Sequence, residues 1–469
     1  MPPQCVSLFL AFFFPLCMRM CYLFICFCCC VKTERNSHGS LRCGPHFFFL
    51  VVVLFITRRG SRSRQSGRCR AGGAARLFIL RRKGDWKEAA GFPSLFLVVM
   101  WRELYTSACA DSAVTPRGEL LALEGGTVRL CGNTFGRFHQ RVTDDEVVAL
   151  SETCARLPLV AELHLEYNEV SSRGATALAD AMRNGFRSLQ YLDVSHNAID
   201  AEGANALAAA ATTHEALSTL LLRSNPIGGA CGPFMEKLLQ SDDRGNSSLL
   251  ATLDLENTEQ DMKSLVHIAR GLARNSTLTT LNLGRPLMNN PDDVACVVRH
   301  LALALKENTT LQTLGMSHFN ITDDDLRLLC SSLRSSAVVC LSLKGNKLSQ
   351  DSGETLATLL TQRADFISLD VTANRLRDVG AVSLASAVAL HPGLRALHIG
   401  SNTIGGRGIS AIAKAVETNT SLTSLRLWGN DFSDESVAEL YALCGKIDSL
   451  PEKDISFYVV DGRPMLARE

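Results

Sequence analysis

Residues 189–199 read LQYLDVSHNAI, and the same pattern recurs as LSTLLLRSNPI at 217–227, LRALHIGSNTI at 394–404 and LTSLRLWGNDF at 422–432. In each copy a central leucine and the apolar residue two positions later are followed, three positions on, by an asparagine. The alternation has period two, so it predicts a short strand that buries both apolar side chains on one face. The asparagine then lies at the strand exit, where its amide can bond to free backbone groups of adjacent turns.

The central leucine recurs along most of the chain, at Leu163, Leu192, Leu220, Leu253, Leu281, Leu314, Leu341, Leu369, Leu397 and Leu425. Consecutive positions are 27–33 residues apart, and a degenerate copy at 128–135 brings the array to about eleven units. Between the strands, stretches such as GATALADAM at 174–182 place apolar residues at helical spacing. One such unit cannot bury its own apolar face, so the units are expected to stack into one continuous core.

The unit resembles the ribonuclease-inhibitor-like subfamily of leucine-rich repeats, in which repeats near 28 residues carry a full helix. The resemblance covers roughly residues 120–450. It implies an α/β right-handed solenoid, a horseshoe with parallel strands on the concave face and helices on the convex face. It also implies that the function is usually the binding of a partner, whose identity it does not give. We expect an N-terminal cap with the degenerate repeat at 100–158, repeats at 159–449 and a C-terminal cap or tail at 450–469.

Some units depart from this pattern. Thr258, Pro286 and Phe319 replace the asparagine, and two longer units carry extra residues near 241–246 and 287–292, which we expect to form loops. Glycines at equivalent places near the helix starts predict tight turns into the helices. These glycines are Gly174, Gly203, Gly353, Gly380 and Gly408.

The first 99 residues do not share the repeat. Residues 5–31 are apolar and long enough to span a bilayer, 46–57 are apolar but short, and the arginine-rich stretch 58–70 would lie in the cytoplasm on the positive-inside rule. Alternatively, runs such as Phe-Phe-Phe at 12–14 are typical of translated non-coding sequence, with Met100 as the true start. A membrane anchor and a misplaced start both stay open.

Composition and motifs argue against several function classes. Lys plus Arg total 48 and Asp plus Glu total 47, so the formal net charge is +1. A charge this small gives no global attraction to nucleic acid or to an anionic membrane. Phosphate-loop, HExxH and GxSxG motifs are absent, and the histidines do not pair at metal-ligand spacing. We therefore expect no catalysis, no cofactor and no metal. Scattered cysteines indicate free thiols in a reducing compartment, so we expect a cytoplasmic monomer.

Five Asn-x-Ser/Thr sequences resemble glycosylation sites, at Asn246, Asn275, Asn308, Asn320 and Asn419. All except Asn320 share one register, between the end of a helix and the next strand. Asparagine is favoured where a helix ends in a left-handed conformation, so we interpret these residues as part of the repeat.

The outward-facing strand positions on the concave surface are the candidate binding site. Acidic residues dominate the N-terminal end, and basic and aromatic residues gather at the C-terminal end. The candidates are Glu166, Asp193, Arg223, Asp254, Glu256, Lys344, Arg395, His398, Arg426 and Trp428. An exposed Trp428 beside Arg426 would suit a binding hot spot. The alternative is that the tail segment ISFYVV at 455–460 covers Trp428 as a cap strand.

The leading hypothesis is a non-catalytic scaffold that binds a protein partner on the concave surface. One alternative is a regulator of a small GTPase, like the activators of Ran-type GTPases, although the chain ends in GRPMLARE and lacks the acidic tail typical of those proteins. Another is a ribonuclease-inhibitor-like enzyme inhibitor, against which the balanced charge argues. A membrane-anchored receptor depends on residues 1–57.

Overall fold

A computed structural model describes residues 93–469, apart from 124, 241–247 and 289, and the backbone of six earlier strands; side chains are described from residue 97 onward. The chain divides into two compact units, Met1–Pro93 and Ser94–Glu469. The first unit contains an antiparallel sheet in the order β1-β2-β5-β6 and a separate β3-β4 pair. Its strands are β1 (Val6–Leu16), β2 (Arg19–Cys30), β3 (Thr33–Arg35), β4 (Leu41–Cys43), β5 (Phe47–Ile56) and β6 (Arg76–Arg81).

Strands β1 and β2 fall within the apolar segment 5–31. Among the residues that the structure describes, no helix is both long enough and apolar enough to cross a membrane.

Within the described part of the second unit, twelve parallel strands form one continuous sheet. The register runs straight across it, so that Leu192 pairs with Leu163 on one side and Leu220 on the other. The strands are β7 (Thr127–Arg129), β8 (Glu162–His164), β9 (Tyr191–Asp193), β10 (Thr219–Leu221), β11 (Thr252–Asp254), β12 (Thr280–Asn282), β13 (Thr313–Gly315), β14 (Cys340–Ser342), β15 (Ser368–Asp370), β16 (Ala396–His398), β17 (Ser424–Arg426) and β18 (Glu452–Lys453).

A helix follows almost every strand, and from α3 onward each helix packs against its neighbours in sequence to form the second layer. The helices are α1 (Pro93–Asp111), α2 (Gly118–Leu121), α3 (Asp144–Arg156), α4 (Ser172–Asn184), α5 (Ala201–Ala211), α6 (Gly232–Leu239), α7 (Met262–Ala273), α8 (Pro291–Glu307), α9 (Asp323–Leu333), α10 (Ser352–Gln362), α11 (Arg377–Leu390), α12 (Gly406–Thr418), α13 (Asp434–Ala442) and α14 (Cys444–Asp448). Strand leucines and helix faces share one buried core, which confirms the predicted α/β solenoid.

The asparagine column ties each turn to the one before it. Asn402 is fully buried, and its amide nitrogen donates to the carbonyls of Val371 in the preceding turn (2.9 Å) and Ile399 in its own turn (3.0 Å). Its amide oxygen accepts the backbone N–H of Leu376 at 3.3 Å. These groups would otherwise be buried without partners, so the column satisfies the backbone where the strands end.

Where asparagine is missing, other side chains share its contacts. The Thr258 hydroxyl donates to the carbonyl of Leu255 at 2.7 Å, as an asparagine would within its own turn. The amide of Gln260 reaches the preceding turn and donates to the carbonyl of Gly228 at 3.3 Å. Phe319 instead fills its position with a fully buried ring.

The glycines near the helix starts do not form the tight turns that we expected. All five lie inside helices, and none has a positive φ. A Cβ on Gly353 would lie 2.3 Å from the Cα of Gly380 in the next helix, and one on Gly203 would lie 2.8 Å from the Cα of Ser172. Glycine is therefore needed for close approach between neighbouring helices.

The long unit between Leu281 and Leu314 does not place its extra residues in the loop that we expected near 287–292. Helix α8 has 17 residues, whereas α12, in a unit of ordinary length, has 13. The added residues therefore mostly lengthen the helix, where they gain backbone hydrogen bonds and an apolar face. The other insertion, at 241–246, lies outside the described residues.

Three of the glycosylation-like asparagines form a second column of hydrogen bonds. Asn308 donates to the carbonyl of Leu272 at 2.9 Å and accepts the N–H of Leu311 at 2.8 Å; Asn275 and Asn419 make equivalent bonds. Asn308 has φ −78° and Asn419 has φ −69°, so the left-handed conformation that we expected is wrong. Side-chain capping of the turn is the reason for asparagine here. Asn246 lies outside the described residues.

We predict that Asn402→Ala lowers the free energy of unfolding by roughly 2–4 kcal/mol, because it leaves several buried backbone groups unpaired. Equilibrium urea denaturation followed by far-UV circular dichroism measures this. The control is Asn184→Ala at the exposed end of α4. Equal stability of the two variants would show that the column does not hold the turns together.

Candidate functional site

The candidate site is the sheet face, which we define as the side of β7–β18 away from the helices. Register pairing aligns the residue after each central leucine in one column, so that His164 lies beside Asp193 and His398 beside Arg426. A second column, two residues further along, includes Glu166, Glu256 and Trp428. Adjacent strands are about 4.8 Å apart, so residues one repeat apart in sequence become neighbours.

The structure places the predicted residues on this face with one exception. Arg395 precedes β16 and is exposed at the strand entry, outside both columns. Glu256 is buried, with 8% of its surface exposed. Arg223, Lys344 and Arg426 are exposed, and Glu166, Asp193, Asp254, His398 and Trp428 are partly buried.

Two of the predicted acidic residues accept hydrogen bonds from backbone N–H groups at the strand exits. Asp193 accepts the N–H of Ser195 at 2.9 Å, and Asp254 accepts the N–H of Glu256 at 2.8 Å. Asn282 occupies the same position on β12 and accepts the N–H of Gly284 at 3.2 Å. Burial raises the pKa of both aspartates, and a neighbouring carboxylate raises it further.

In the central part of the face, acidic and basic side chains neutralise each other. The Glu256 carboxylate lies 3.1 Å from Nη1 of Arg223 and 3.8 Å from Nε of Arg285, and it accepts a hydrogen bond from Asn282 at 3.0 Å. Two candidates, Glu256 and Arg223, are thus paired with each other. Their charges are less available to a partner than the sequence suggested.

At the N-terminal end, His164, Glu166 and Asp193 form a compact group, the N-terminal cluster. Their potential metal-ligating atoms all lie within 4.8 Å of one another. We did not recognise this set from the sequence, because two ligands come from β8 and its exit and the third from β9, 27 residues beyond Glu166. The sequence pattern that could have revealed it is His-x-Glu in one repeat, with Asp at the position of that histidine in the next repeat.

At the C-terminal end, the sheet is capped by residues just before the segment 455–460, which was the alternative cap strand. Strand β18, residues 452–453, pairs with β17, and Asp454 accepts the N–H groups of Leu427 (2.8 Å) and Trp428 (3.1 Å). The segment 455–460 is instead β19 (Ile455–Val460), which pairs with β20 (Arg463–Arg468) in a hairpin that contacts α13.

Trp428 remains partly open to solvent. Its ring packs on the core and on Phe432, with ring centroids 6.5 Å apart. Beside it, His398 contacts the Ser424 hydroxyl at 2.9 Å, and burial and the Arg426 charge lower the pKa of the His398 imidazole. Among the described residues, Lys344, Arg395 and Arg426 form no ion pair. We call His398, Arg426 and Trp428 on the sheet face, together with Arg395 at the adjoining entry to β16, the C-terminal patch.

Comparison with known families agrees with the repeat geometry. The Leucine Rich repeat family matches residues 158–179, 187–208, 392–413 and 418–440. The chain therefore contains leucine-rich repeats, and its fold is that of a leucine-rich-repeat solenoid. Its strands, its full helices and its spacing near 28 residues resemble the ribonuclease-inhibitor-like subfamily.

Two curated relatives and a solved structure resemble this leucine-rich-repeat protein. It is 26% identical over 262 residues to the protein phosphatase 1 regulatory subunit 37 homolog of Caenorhabditis briggsae, covering 54% of this chain and 26% of the relative. It is 28% identical over 217 residues to the ribonuclease inhibitor of Sus scrofa, covering 45% of each. The chain therefore spans less than half the length of these relatives. An internalin from Listeria monocytogenes matches 78% of this chain and 96% of its own, at 16% identity and a TM-score of 0.36.

We predict that Asp254→Asn keeps or raises stability at pH 7, whereas Asp254→Ala lowers it by about 1 kcal/mol through loss of the strand-exit hydrogen bond. The raised pKa means that the folded carboxyl binds its proton more tightly than the unfolded one. Stability from this group is therefore complete below the unfolded pKa and is lost as the pH rises through the folded pKa. If Asp254→Asn is more stable than the wild type at pH 7, the difference in free energy of unfolding should shrink as the pH falls from the folded-state pKa of Asp254 to its unfolded-state pKa.

Urea denaturation of the wild type and both variants at pH 7 and at mildly acidic pH measures the difference. If Asp254→Asn is as unstable at pH 7 as Asp254→Ala, the carboxylate is stabilising and the sign of its pKa shift is wrong.

Proposed function

We propose that this leucine-rich-repeat protein is a non-catalytic scaffold that binds a protein partner on its sheet face, with the C-terminal patch as the main contact. The observation that carries the proposal is the contrast between the two ends of the face. Glu256 pairs with Arg223 and Arg285, whereas Arg426 is exposed, unpaired within the described residues and two residues before the partly open Trp428. Arg395 is also exposed and forms no ion pair there, and it lies at the entry to the neighbouring strand β16. Arg and Trp are the residues that most often dominate binding energy at interfaces.

The chemistry of the patch indicates the kind of partner. Two free guanidinium groups favour carboxylates, which they can bind in a bidentate manner. The open part of the Trp428 ring offers an apolar contact two residues beyond Arg426 on the same face. Lys344 adds a third free cation on β14, three strands away. We infer a partner segment that presents acidic side chains flanking an apolar one.

The relatives support a protein as the partner. One is named as a regulatory subunit of a phosphatase and another as an inhibitor of ribonuclease, so each is named for its effect on an enzyme. Of the alternatives, an inhibitor of a basic enzyme is the less favoured, because three of the four predicted acidic residues already make internal contacts: Glu256 is paired with arginines, and Asp193 and Asp254 accept backbone hydrogen bonds. A GTP-hydrolysis assay with candidate small GTPases tests the regulatory alternative.

The proposed setting is the cytoplasm, with the chain acting as a monomer. Eight cysteines from Cys109 to Cys444 are free, and four of them are buried. Burial raises the pKa of Cys154 and Cys330, so these thiols stay protonated and unreactive. Free thiols of this kind fit a reducing compartment.

Charge reversal at the patch tests the proposal. The tagged full chain, the double variant Arg395→Glu/Arg426→Glu and a control double variant, Arg270→Glu/Arg407→Glu, are used for quantitative affinity capture from cell lysate with mass spectrometry. Arg270 and Arg407 are exposed on helices, so the control makes the same change in net charge away from the sheet face. We expect proteins that the wild type and the control enrich to fall at least about tenfold with the patch variant.

Trp428→Ala should produce a similar loss of capture. Because Trp428 also packs on the core, its melting temperature is measured in parallel, and binding is compared only where the protein is folded. Equal capture by the wild type and the arginine double variant would contradict the proposed contact.

A further inference from the structure

The N-terminal cluster contains polar atoms that the protein itself does not satisfy. Nε2 of His164 and Oε2 of Glu166 are buried and have no hydrogen-bond partner. The nearest carboxylate to His164 outside the cluster, Oε2 of Glu162, is 3.8 Å from Nε2 and accepts the Thr127 hydroxyl at 3.0 Å. Leaving buried polar atoms without partners is unfavourable, so these atoms are suited to bind a positively charged ligand.

No side chain of the described residues supplies that charge. Glu256, in the same column as Glu166 but three strands further along the face, pairs with two arginines, whereas neither Glu166 nor Asp193 forms an ion pair within the described part of the chain. Arg129 is the register partner of His164 and is exposed, and it makes no ion pair with the cluster. Two carboxylates are therefore held close together beside an imidazole, without a counter-ion.

The donor atoms are those of a transition-metal site. One imidazole nitrogen and two carboxylates suit Zn²⁺, whereas Ca²⁺ and Mg²⁺ prefer a larger set of oxygen ligands. Donors bound to one zinc ion at about 2 Å lie roughly 3–4 Å apart. The ligand atoms of the cluster lie within 4.8 Å of one another, so small side-chain rotations would bring them to that spacing. The ring of Tyr191 lies 4.6 Å from that of His164 and covers one side of it. The Cys131 thiol borders Glu166, and burial together with this carboxylate raises the pKa of Cys131 to about 12.

We propose that His164, Glu166 and Asp193 bind one divalent transition-metal ion, with Zn²⁺ as the preferred ion, across strands β8 and β9. The ion neutralises the two carboxylates and joins two adjacent repeats. Three protein ligands leave a fourth coordination position on the sheet face for water or for a ligand atom from a partner.

The chain supplies its own matched control. Asp370 and His398 are register partners in the same column, on β15 and β16, but the second column there holds Thr372 and Gly400. This pair has the imidazole and one carboxylate, and it lacks the counterpart of Glu166. It should therefore bind no transition metal with comparable affinity.

Equilibrium dialysis of the chelator-stripped full chain against Zn²⁺ tests the proposal. The wild type should bind one more equivalent than His164→Ala, and Glu166→Gln and Asp193→Asn should weaken that equivalent at least about tenfold. Asp193→Asn keeps an acceptor for the Ser195 N–H, so the fold is retained. The wild type and these variants share all 17 cysteines, so the difference in zinc binding between them excludes any zinc that thiols bind elsewhere. His398→Ala and Asp370→Asn should leave zinc binding unchanged.

Thermal melting provides a second readout. Zn²⁺ should raise the melting temperature of the wild type and of the control variants but not of His164→Ala, and millimolar Mg²⁺ or Ca²⁺ should have no such effect. Equal zinc binding by the wild type and His164→Ala would overturn the proposal. Binding that is lost only in Cys131→Ser would also overturn it, because a single thiol would then hold the metal.

Discussion

Most turns of this solenoid depend on a buried amide that satisfies the backbone at the strand exit. An asparagine such as Asn402 donates to its own turn and to the preceding turn and accepts a backbone N–H in return. Because both ends of this contact are fixed by the backbone, it sets the position of one turn on the next. The straight register of the sheet, and with it the alignment of side chains on the sheet face, follows from that constraint.

Alignment brings residues close together that are one repeat apart in sequence, and it determines what each can do. On the central strands an acid meets two arginines, and the charges cancel. On the N-terminal strands two acids meet a histidine, and within the described residues neither acid forms an ion pair. On the C-terminal strands the arginines meet solvent and an aromatic ring. Residues of similar type therefore serve stability, ligand binding or partner binding according to their neighbours across the sheet.

Several sequence expectations were wrong in ways that share a cause. The helix-start glycines looked like turn residues, but the space between neighbouring helices requires them. The extra residues near 287–292 looked like a loop, but most of the added length is in α8. The tail segment 455–460 looked like the cap strand, but residues 452–453 pair with β17. Each depends on contact with the next turn, which a single unit of sequence does not contain.

The sequence by itself determined the repeat: its period, its alternation of strand and helix, the leucine core and most of the asparagine column. These follow from local periodicity, since period-two and helical patterns select their own secondary structure and only stacking can bury the resulting apolar faces. The tertiary structure alone decided which polar residues of the sheet face are paired and which are free. Charges interact over a few ångströms, and those distances are set by packing between turns, which brings His164 and Glu166 to Asp193 and leaves Arg426 beside Trp428.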